Sequence, residues 1–524
     1  MTSTPDAASS QQDHGFFGHP RPLGSLFFTE MWERFSYYGI RPLLVLFMAA
    51  GLAEGGLGFS REDAAAIVGI YAGAIYLSAL PGGWLADNWL GQRRAVWYGS
   101  LLIALGHLAI ALSALWGATA FFIGLLLIVL GSGLFKTCIT VMVGSLYDEG
   151  DARRDGGFAI FYTGINLGAL LAPLMTGLLI ESGGWHWGFG IGGLGMLVAL
   201  LIFRLWAIPA MRRADRQQGR DSSWDAPAVK RRGVGLAVMG LSILVAALVS
   251  LAAIGVIQLN PVAIAEAMTS VIIVCALGFF VYLMAFAGLN GRERARMVVA
   301  FMLIVASAFF WASFEQQPTS YNLFANDYTD RGLFGWEIPT VWFQSLNAVF
   351  IVILGPLFGW LWPALGRRGL EPGSAIKFVM GLLFAAAGFG LMVLAARQVI
   401  TDGLVSPLWI TGSLLLLTLG EMCLSPVGLS TMSTLAPQRI RGQLMGLWFT
   451  SLALGNLVAG LIGGNVSADK LAELPALFGR SAIALVLCAL VLALLTPLIT
   501  RMLKGGSSTD DDAETRPSTP TSGA

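Results

Sequence analysis

The chain has 524 residues, 56% of them apolar and only 12% charged, with a mean hydropathy of +0.72. A soluble globular protein carries about 25% charged residues, so this composition excludes a soluble enzyme or binding domain and reads as a polytopic membrane protein. The net charge of +1, with basic residues scattered through short loops, excludes a nucleic-acid-binding stripe and singles out no charged partner.

Residues 1–23 are polar and lack an apolar h-region, so they read as a tail and not as a cleaved signal peptide. Apolar runs long enough to span a bilayer follow at about 24–50, 63–86, 94–115, 119–146, 156–180, 187–208, 234–256, 263–289, 297–322, 338–362, 375–396, 407–433, 441–465 and 478–502. Fourteen spans put both termini on one side. Most of the 32 lysines and arginines lie in the termini and even-numbered loops, among them Arg93/Arg94, Arg153/Arg154, the 209–233 segment, Arg292/Arg294/Arg296, Arg367/Arg368 and Arg439/Arg441. By the positive-inside rule both termini are cytoplasmic, in the cell inner membrane.

Arg212 to Arg232 forms a hydrophilic linker between two blocks of six spans. The inserted pair at 234–289 is almost uncharged, with Glu266 the exception near its outer end, so it reads as a lipid-facing or scaffold pair. The expected organisation is a cytoplasmic tail (1–23), a six-helix bundle (24–208), a cytoplasmic linker (209–233), the inserted pair (234–289), a second six-helix bundle (290–503) and a polar, disordered cytoplasmic tail (504–524). Two six-span halves around a linker imply pseudo-symmetric repeats rocking about a midplane site.

The first span carries the densest chemistry, Thr29-Glu30-Met31-Trp32-Glu33-Arg34-Phe35-Ser36-Tyr37-Tyr38-Gly39-Ile40-Arg41. At 100° per residue, Glu30, Glu33, Arg34, Tyr37, Tyr38 and Arg41 share an arc of roughly 140°. Four ionisable groups in one membrane helix need a wet cavity and partners. A self-neutralised Glu30–Arg34 pair would account for only two of them. After span two comes Gly82-Gly83-Trp84-Leu85-Ala86-Asp87-Asn88-Trp89-Leu90-Gly91-Gln92-Arg93-Arg94, whose glycines permit close packing and a tight turn. Its Asp87 can accept from a helix N-terminus or from a basic residue across a gate, latching one conformation.

Span four places Lys136 mid-membrane, where it needs a carboxylate partner, and Glu30 and Glu33 are on offer. In span five, Asn166 suits either a substrate amide or an interhelical hydrogen bond. Span nine ends in Phe310-Trp311-Ala312-Ser313-Phe314-Glu315-Gln316-Gln317, and span ten holds Phe343-Gln344-Ser345-Leu346-Asn347. In span twelve Glu421 is a lone deep carboxylate ahead of Pro426, the second half's counterpart to the cluster in span one. Trp448 in span thirteen reads as packing or as an apolar pocket wall. The four cysteines, Cys138, Cys275, Cys423 and Cys488, lie in apolar runs without metal-ligand spacing and read as reduced packing residues. The four histidines, His14, His19, His107 and His186, form no motif.

Taken together, EMWERFSYYG, FYTGINLG, FFWASFEQ, QSLN and GEMCLSPVGLS resemble the proton-dependent oligopeptide transporter family of the major facilitator superfamily. The resemblance covers spans one to twelve. It implies an all-α membrane protein of the major facilitator fold, two six-helix bundles plus an inserted helix pair, fourteen transmembrane helices in all. It further implies proton-driven import of di- and tripeptides, with protons as the coupling ion and no other cofactor or obligate protein partner. By that resemblance Glu30, Glu33, Arg34 and Lys136 couple protons, Arg34 takes the peptide carboxylate and Glu421 its amino group. Arg41 and Glu315 match an outer gate pair, while Tyr38, Tyr76, Asn166, Asn347 and Trp448 match cavity positions. Two departures stand out. Gly69 occupies the place of a histidine found in the family's animal members, which leaves proton coupling to carboxylates. Span four reads KTCIT where many relatives have Lys-Pro-Asn.

An anion symporter of the nitrate type is the nearest competing reading, and Glu421 opposes it because a buried carboxylate repels an anion unless protonated. A membrane enzyme would need a nucleophile–base pair or metal cluster, and no histidine falls near a candidate nucleophile in any motif. A receptor or structural bundle has no need of paired charges in both halves.

Overall fold

The computed structural model of the chain describes residues 15–148, 151, 153–219, 224, 226–227, 233–253 and 259–504. Most of the expected N-terminal tail, part of the 209–233 linker and all of the expected 504–524 tail but Lys504 lie outside them. The apolar runs form fourteen long helices, because a chain in hydrocarbon must satisfy its backbone internally. These are α1 (Pro22–Ala49), α2 (Arg61–Leu85), α3 (Gln92–Ala111), α4 (Ser113–Gly144), α5 (Arg154–Gly183) and α6 (Trp185–Ile202). The inserted pair is α7 (Val234–Ala253) and α8 (Pro261–Phe286). The second block is α9 (Gly291–Phe314), α10 (Ser345–Arg367), α11 (Ser374–Asp402), α12 (Leu408–Leu435), α13 (Arg441–Gly463) and α14 (Leu474–Lys504). Among the described residues 13 helices are long and apolar enough to cross a membrane. The remaining one, α1, carries the four ionisable groups of its motif and still packs fully into the bundle.

Local signals set several helix starts. Ser60 accepts from the backbone N–H of Asp63 at 3.0 Å, and Asn260 from that of Ala263 at 2.9 Å. At α9 a reciprocal capping box joins Asn290 and Glu293. Small residues then let helices approach closely. A Cβ on Gly99 would stand 2.7 Å from the Gly131 carbonyl oxygen, and one on Gly82 would overlap that of Gly133, so α2, α3 and α4 touch backbone to backbone.

Helices α1–α6 pack on one another, as do α9–α14. The halves meet chiefly through α2 against α13 and α5 against α10. Of the inserted pair, α7 is exposed along most of its length. In α8, Ala265 and Ile272 pack with Ala66 of α2 and Leu457 of α13, so this helix bridges the seam between the halves.

Several elements differ from the linear reading. Gly82 and Gly83 lie inside α2, which runs on through a π turn (Ala86–Leu90), and the tight turn is made at Gly91, whose φ of 77° suits glycine. Helix α6 continues through Phe203–Ala207 into Ile208–Gln218, so the linker begins as helix. The ninth span breaks after Phe314. Pro318 has no N–H to donate, and the chain passes through a π turn (Gln317–Tyr321) and a short helix (Asn322–Tyr328) to a two-stranded hairpin. Gln316, fully buried, holds the break: its amide donates to the Ala312 carbonyl and Ser481, each at 3.2 Å, and accepts from Ser320 at 3.1 Å. Cys275 is exposed on α8 and so is not a packing residue; all four cysteines are free.

Candidate functional site

The periodicity of α1 turns its charges to one side, where Glu30, Glu33 and Arg34 are buried and Arg41 is partly exposed. Arg34 Nε donates to Glu33 Oε2 at 2.5 Å and stands 3.1 Å from Glu30 Oε1. All three side chains are nearly sealed, at 3%, 1% and 4% exposure for Glu30, Glu33 and Arg34. Glu30 Oε2 has no hydrogen-bond partner among the described residues. Two carboxylates against one guanidinium leave one uncompensated negative charge when all are ionised, which a buried site tolerates only with a further cation or a proton.

Lys136 of α4 is the further cation within electrostatic reach of that cluster. The expected ion pair with Glu30 or Glu33 is nevertheless absent among the described residues. Its Nζ instead sits over the ring of Tyr76 on α2, 4.0 Å from the centroid. The ring of Tyr37 is shared in the same way by Arg34 and Arg41, with their Cζ atoms 5.4 and 5.8 Å away, and Tyr38 packs edge-on against Tyr37.

The second half presents fewer charges. Asn347 of α10 donates to Glu421 Oε2 of α12 at 3.1 Å and to Thr418 Oγ1 at 3.0 Å, which orients the only acid named on that helix. Trp448 of α13 is 2% exposed and packs against Gly428, where even a Cβ would overlap its ring, and against Phe378. Asn166 bonds within its own helix, to the Tyr162 carbonyl at 3.0 Å, and among the described residues makes no interhelical bond. Asp87 accepts from Gln92 at 2.8 Å across the α2–α3 turn, not from a basic residue of the other half.

The halves are joined at the end of the bundle where α1 finishes and α2 begins. Arg41 of α1 forms an ion pair with Glu315 just beyond α9, and its Nη2 also donates to Asn456 Oδ1 at 3.2 Å. Arg61 pairs with Asp327 and donates to the Val466 carbonyl at 3.0 Å, and Lys470 Nζ meets Glu62 Oε1 at 2.8 Å. Asn322 donates to the Pro42 carbonyl, Trp342 to that of Leu174 and Ser345 to that of Leu170, at 2.6, 3.1 and 2.8 Å. At the opposite end, which carries the linker, polar pairs such as Glu293–Arg439 (2.6 Å) and Asp151–Arg153 (2.8 Å) stay within one half. Arg153 holds the Asp151 carboxyl down at about 2, so this loop pair stays ionic.

Linear reading missed Asn456, Asn322, the Arg61–Asp327 and Lys470–Glu62 pairs, and a buried Ser36–His107 contact of 2.7 Å. The one available signal was the complementary acid and base at the span ends of both halves, Arg61/Glu62 against Asp327 and Lys470.

The comparisons with known proteins agree with this architecture. The PTR2 family model, described as the POT family, matches residues 93–475. The chain is 62% identical over 490 residues to the peptide transporter YePEPT of Yersinia enterocolitica subsp. palearctica serotype O:3 (strain YE-P4), covering 93% of this chain and 96% of that one. It is 36% identical over 449 residues to a di-/tripeptide transporter of Lactococcus lactis subsp. cremoris, covering 83% of this chain and 87% of the relative. The crystal structure of peptide transporter POT in complex with sulfate matches with a TM-score of 0.85 at 37% identity, over 96% of this chain and 100% of that one. On the extent of these matches and on its fourteen-helix fold, the chain belongs to the POT family of membrane transporters.

Proposed function

We propose that this protein is a proton-coupled symporter that imports di- and tripeptides across the cytoplasmic membrane by alternating access. The observation that carries the reading is a pair of complementary charged sites, one in each half: a buried guanidinium held by two carboxylates on α1, and an oriented carboxylate, Glu421, on α12. A peptide has a carboxylate for the first and an ammonium group for the second. Similarity to transporters named for peptides supports the substrate class.

Coupling follows from competition. Arg34 cannot take a peptide carboxylate with full strength while Glu33 and Glu30 hold it. A proton on either glutamate weakens that hold, and frees Arg34 for the substrate as it removes the excess negative charge. Lys136, resting on Tyr76 without a carboxylate, is the cation that can take up whichever acid is deprotonated. Arg41 and Glu315 serve as a gate. With both termini and the linker in the cytoplasm, the joined end is the outer one, and the conformation described is closed outside. No protein partner is required for this cycle.

The test is uptake of a labelled dipeptide into proteoliposomes with and without an imposed inward proton gradient. Gradient-dependent accumulation is expected. Equal uptake in both conditions removes the symport reading.

A further inference from the structure

We propose that Asn456 is a second gate partner of Arg41, so that the closing arginine grips α13 as well as the end of α9. The inference rests on the Arg41–Glu315 gate proposed above and assigns it a further residue. Asn456 is 3% exposed, and its Nδ2 donates to the Leu452 carbonyl one turn back at 2.9 Å. That bond leaves Oδ1 aimed at Arg41 Nη2, 3.2 Å away. The opposite amide orientation would set an NH2 group against a guanidinium and a carbonyl against a carbonyl, so the contact defines the rotamer.

Position makes the contact consequential. The backbone carbonyl of Asn456 lies where α13 packs closely on α2 of the other half; a Cβ on Gly69 would be 2.8 Å from it and 3.0 Å from Gly460 Cα. Helices α9 and α13 are themselves fastened by the Ser307–Ser451 hydroxyl contact at 3.1 Å and by Gly455 against Trp311. Arg41 therefore closes on two linked helices of the second half. Its neutral partner supplies this grip without adding a second buried negative charge. When Glu315 lets go, the Asn456 carbonyl still guides the guanidinium, and the gate loosens in two steps.

The test moves the carboxylate from one helix to the other. Gradient-driven dipeptide uptake is measured in proteoliposomes for the unaltered protein, Glu315→Gln, Arg41→Gln, Asn456→Ala, Glu315→Gln/Asn456→Asp and Arg41→Gln/Asn456→Asp, with thermal unfolding as the control for folding. Asn456→Ala is expected to lower uptake by roughly ten- to a hundredfold, the scale of one hydrogen bond to a charged group. Asn456→Asp is expected to restore several-fold the uptake lost in Glu315→Gln, and to restore nothing in Arg41→Gln. A folded Glu315→Gln/Asn456→Asp protein no better than Glu315→Gln overturns the role of Asn456. A Glu315→Gln protein that transports normally overturns the gate and this inference with it. Should the double variant not fold, spin labels at Leu52→Cys and Leu404→Cys in a Cys275→Ser background decide. Asn456→Ala must shift the population toward longer separations between these exposed loops, and an unchanged distribution overturns the proposal.

Discussion

Arg34 is bonded to Glu33 at 2.5 Å, so the cation suited to a peptide's carboxylate already holds a carboxylate of its own helix. In the proposed mechanism the site is a competition, and the proton decides it. Glu33→Gln removes the nearer competitor and its titratable carboxyl together, leaving Glu30. It is expected to abolish gradient-driven accumulation while non-driven counterflow stays measurable. Concentrative uptake retained in this variant would move the coupling site elsewhere.

The Asn347–Glu421 bond orients the acid that the proposed mechanism assigns to the peptide's amino end. A buried acid stranded without its ammonium partner costs several kcal/mol, so N-acetylating a dipeptide should weaken competition on the order of a hundredfold in the unaltered protein. In Glu421→Gln that penalty is expected to shrink, because no charge is left unpaired, while the penalty for C-amidation persists at Arg34. Competition by free, N-acetylated and C-amidated dialanine against a labelled dipeptide measures both. Equal N-acetyl penalties in the two proteins would show that Glu421 does not read the amino end.

Arg41 and Glu315 lie 274 residues apart in the chain and pair across the halves. Reversing either charge leaves two like charges facing each other where exposure is only 13% and 6%. Single reversals should therefore cost more than about a hundredfold in uptake. Reversing both should recover part of the loss, though not all, because Asn456 Oδ1 would then face a carboxylate. A double variant no better than the worse single one would mean that the two do not act as a pair.

Gly69 gives the seam between α2 and α13 a sharp test. In an isolated helix Gly→Ala stabilises by about 1 kcal/mol. Here the added Cβ would meet the Asn456 carbonyl oxygen at 2.8 Å and Gly460 Cα at 3.0 Å, backbone atoms that cannot swing aside. Gly69→Ala is thus expected to destabilise by about 1–3 kcal/mol, read as a lower thermal unfolding midpoint, and Gly69→His should be worse. An unchanged or raised midpoint for Gly69→Ala would show that the seam is slack.

Much of the molecule was legible along the chain. The fourteen crossings, the inserted pair, the α1 arc that unites Glu30, Arg34 and Arg41, and the Glu30–Arg34 contact depend on hydropathy and on a 3.6-residue period. These are local properties, and hydrocarbon enforces them residue by residue. Tertiary structure alone decided which groups met. Lys136 settled on the Tyr76 ring and not on an acid, Arg41 found Asn456 beside Glu315, Arg61 found Asp327 266 residues away, and Asp87 bonded its neighbour Gln92. The ninth span broke at Pro318 because Gln316 could anchor the break to Ser481 on a helix far along the chain. Each of these partnerships is fixed by how a dozen helices pack at once, and backbone contacts such as Gly69 against Gly460 set the distances. Periodicity says which face of a helix a side chain occupies; only the packed bundle says what that face looks upon.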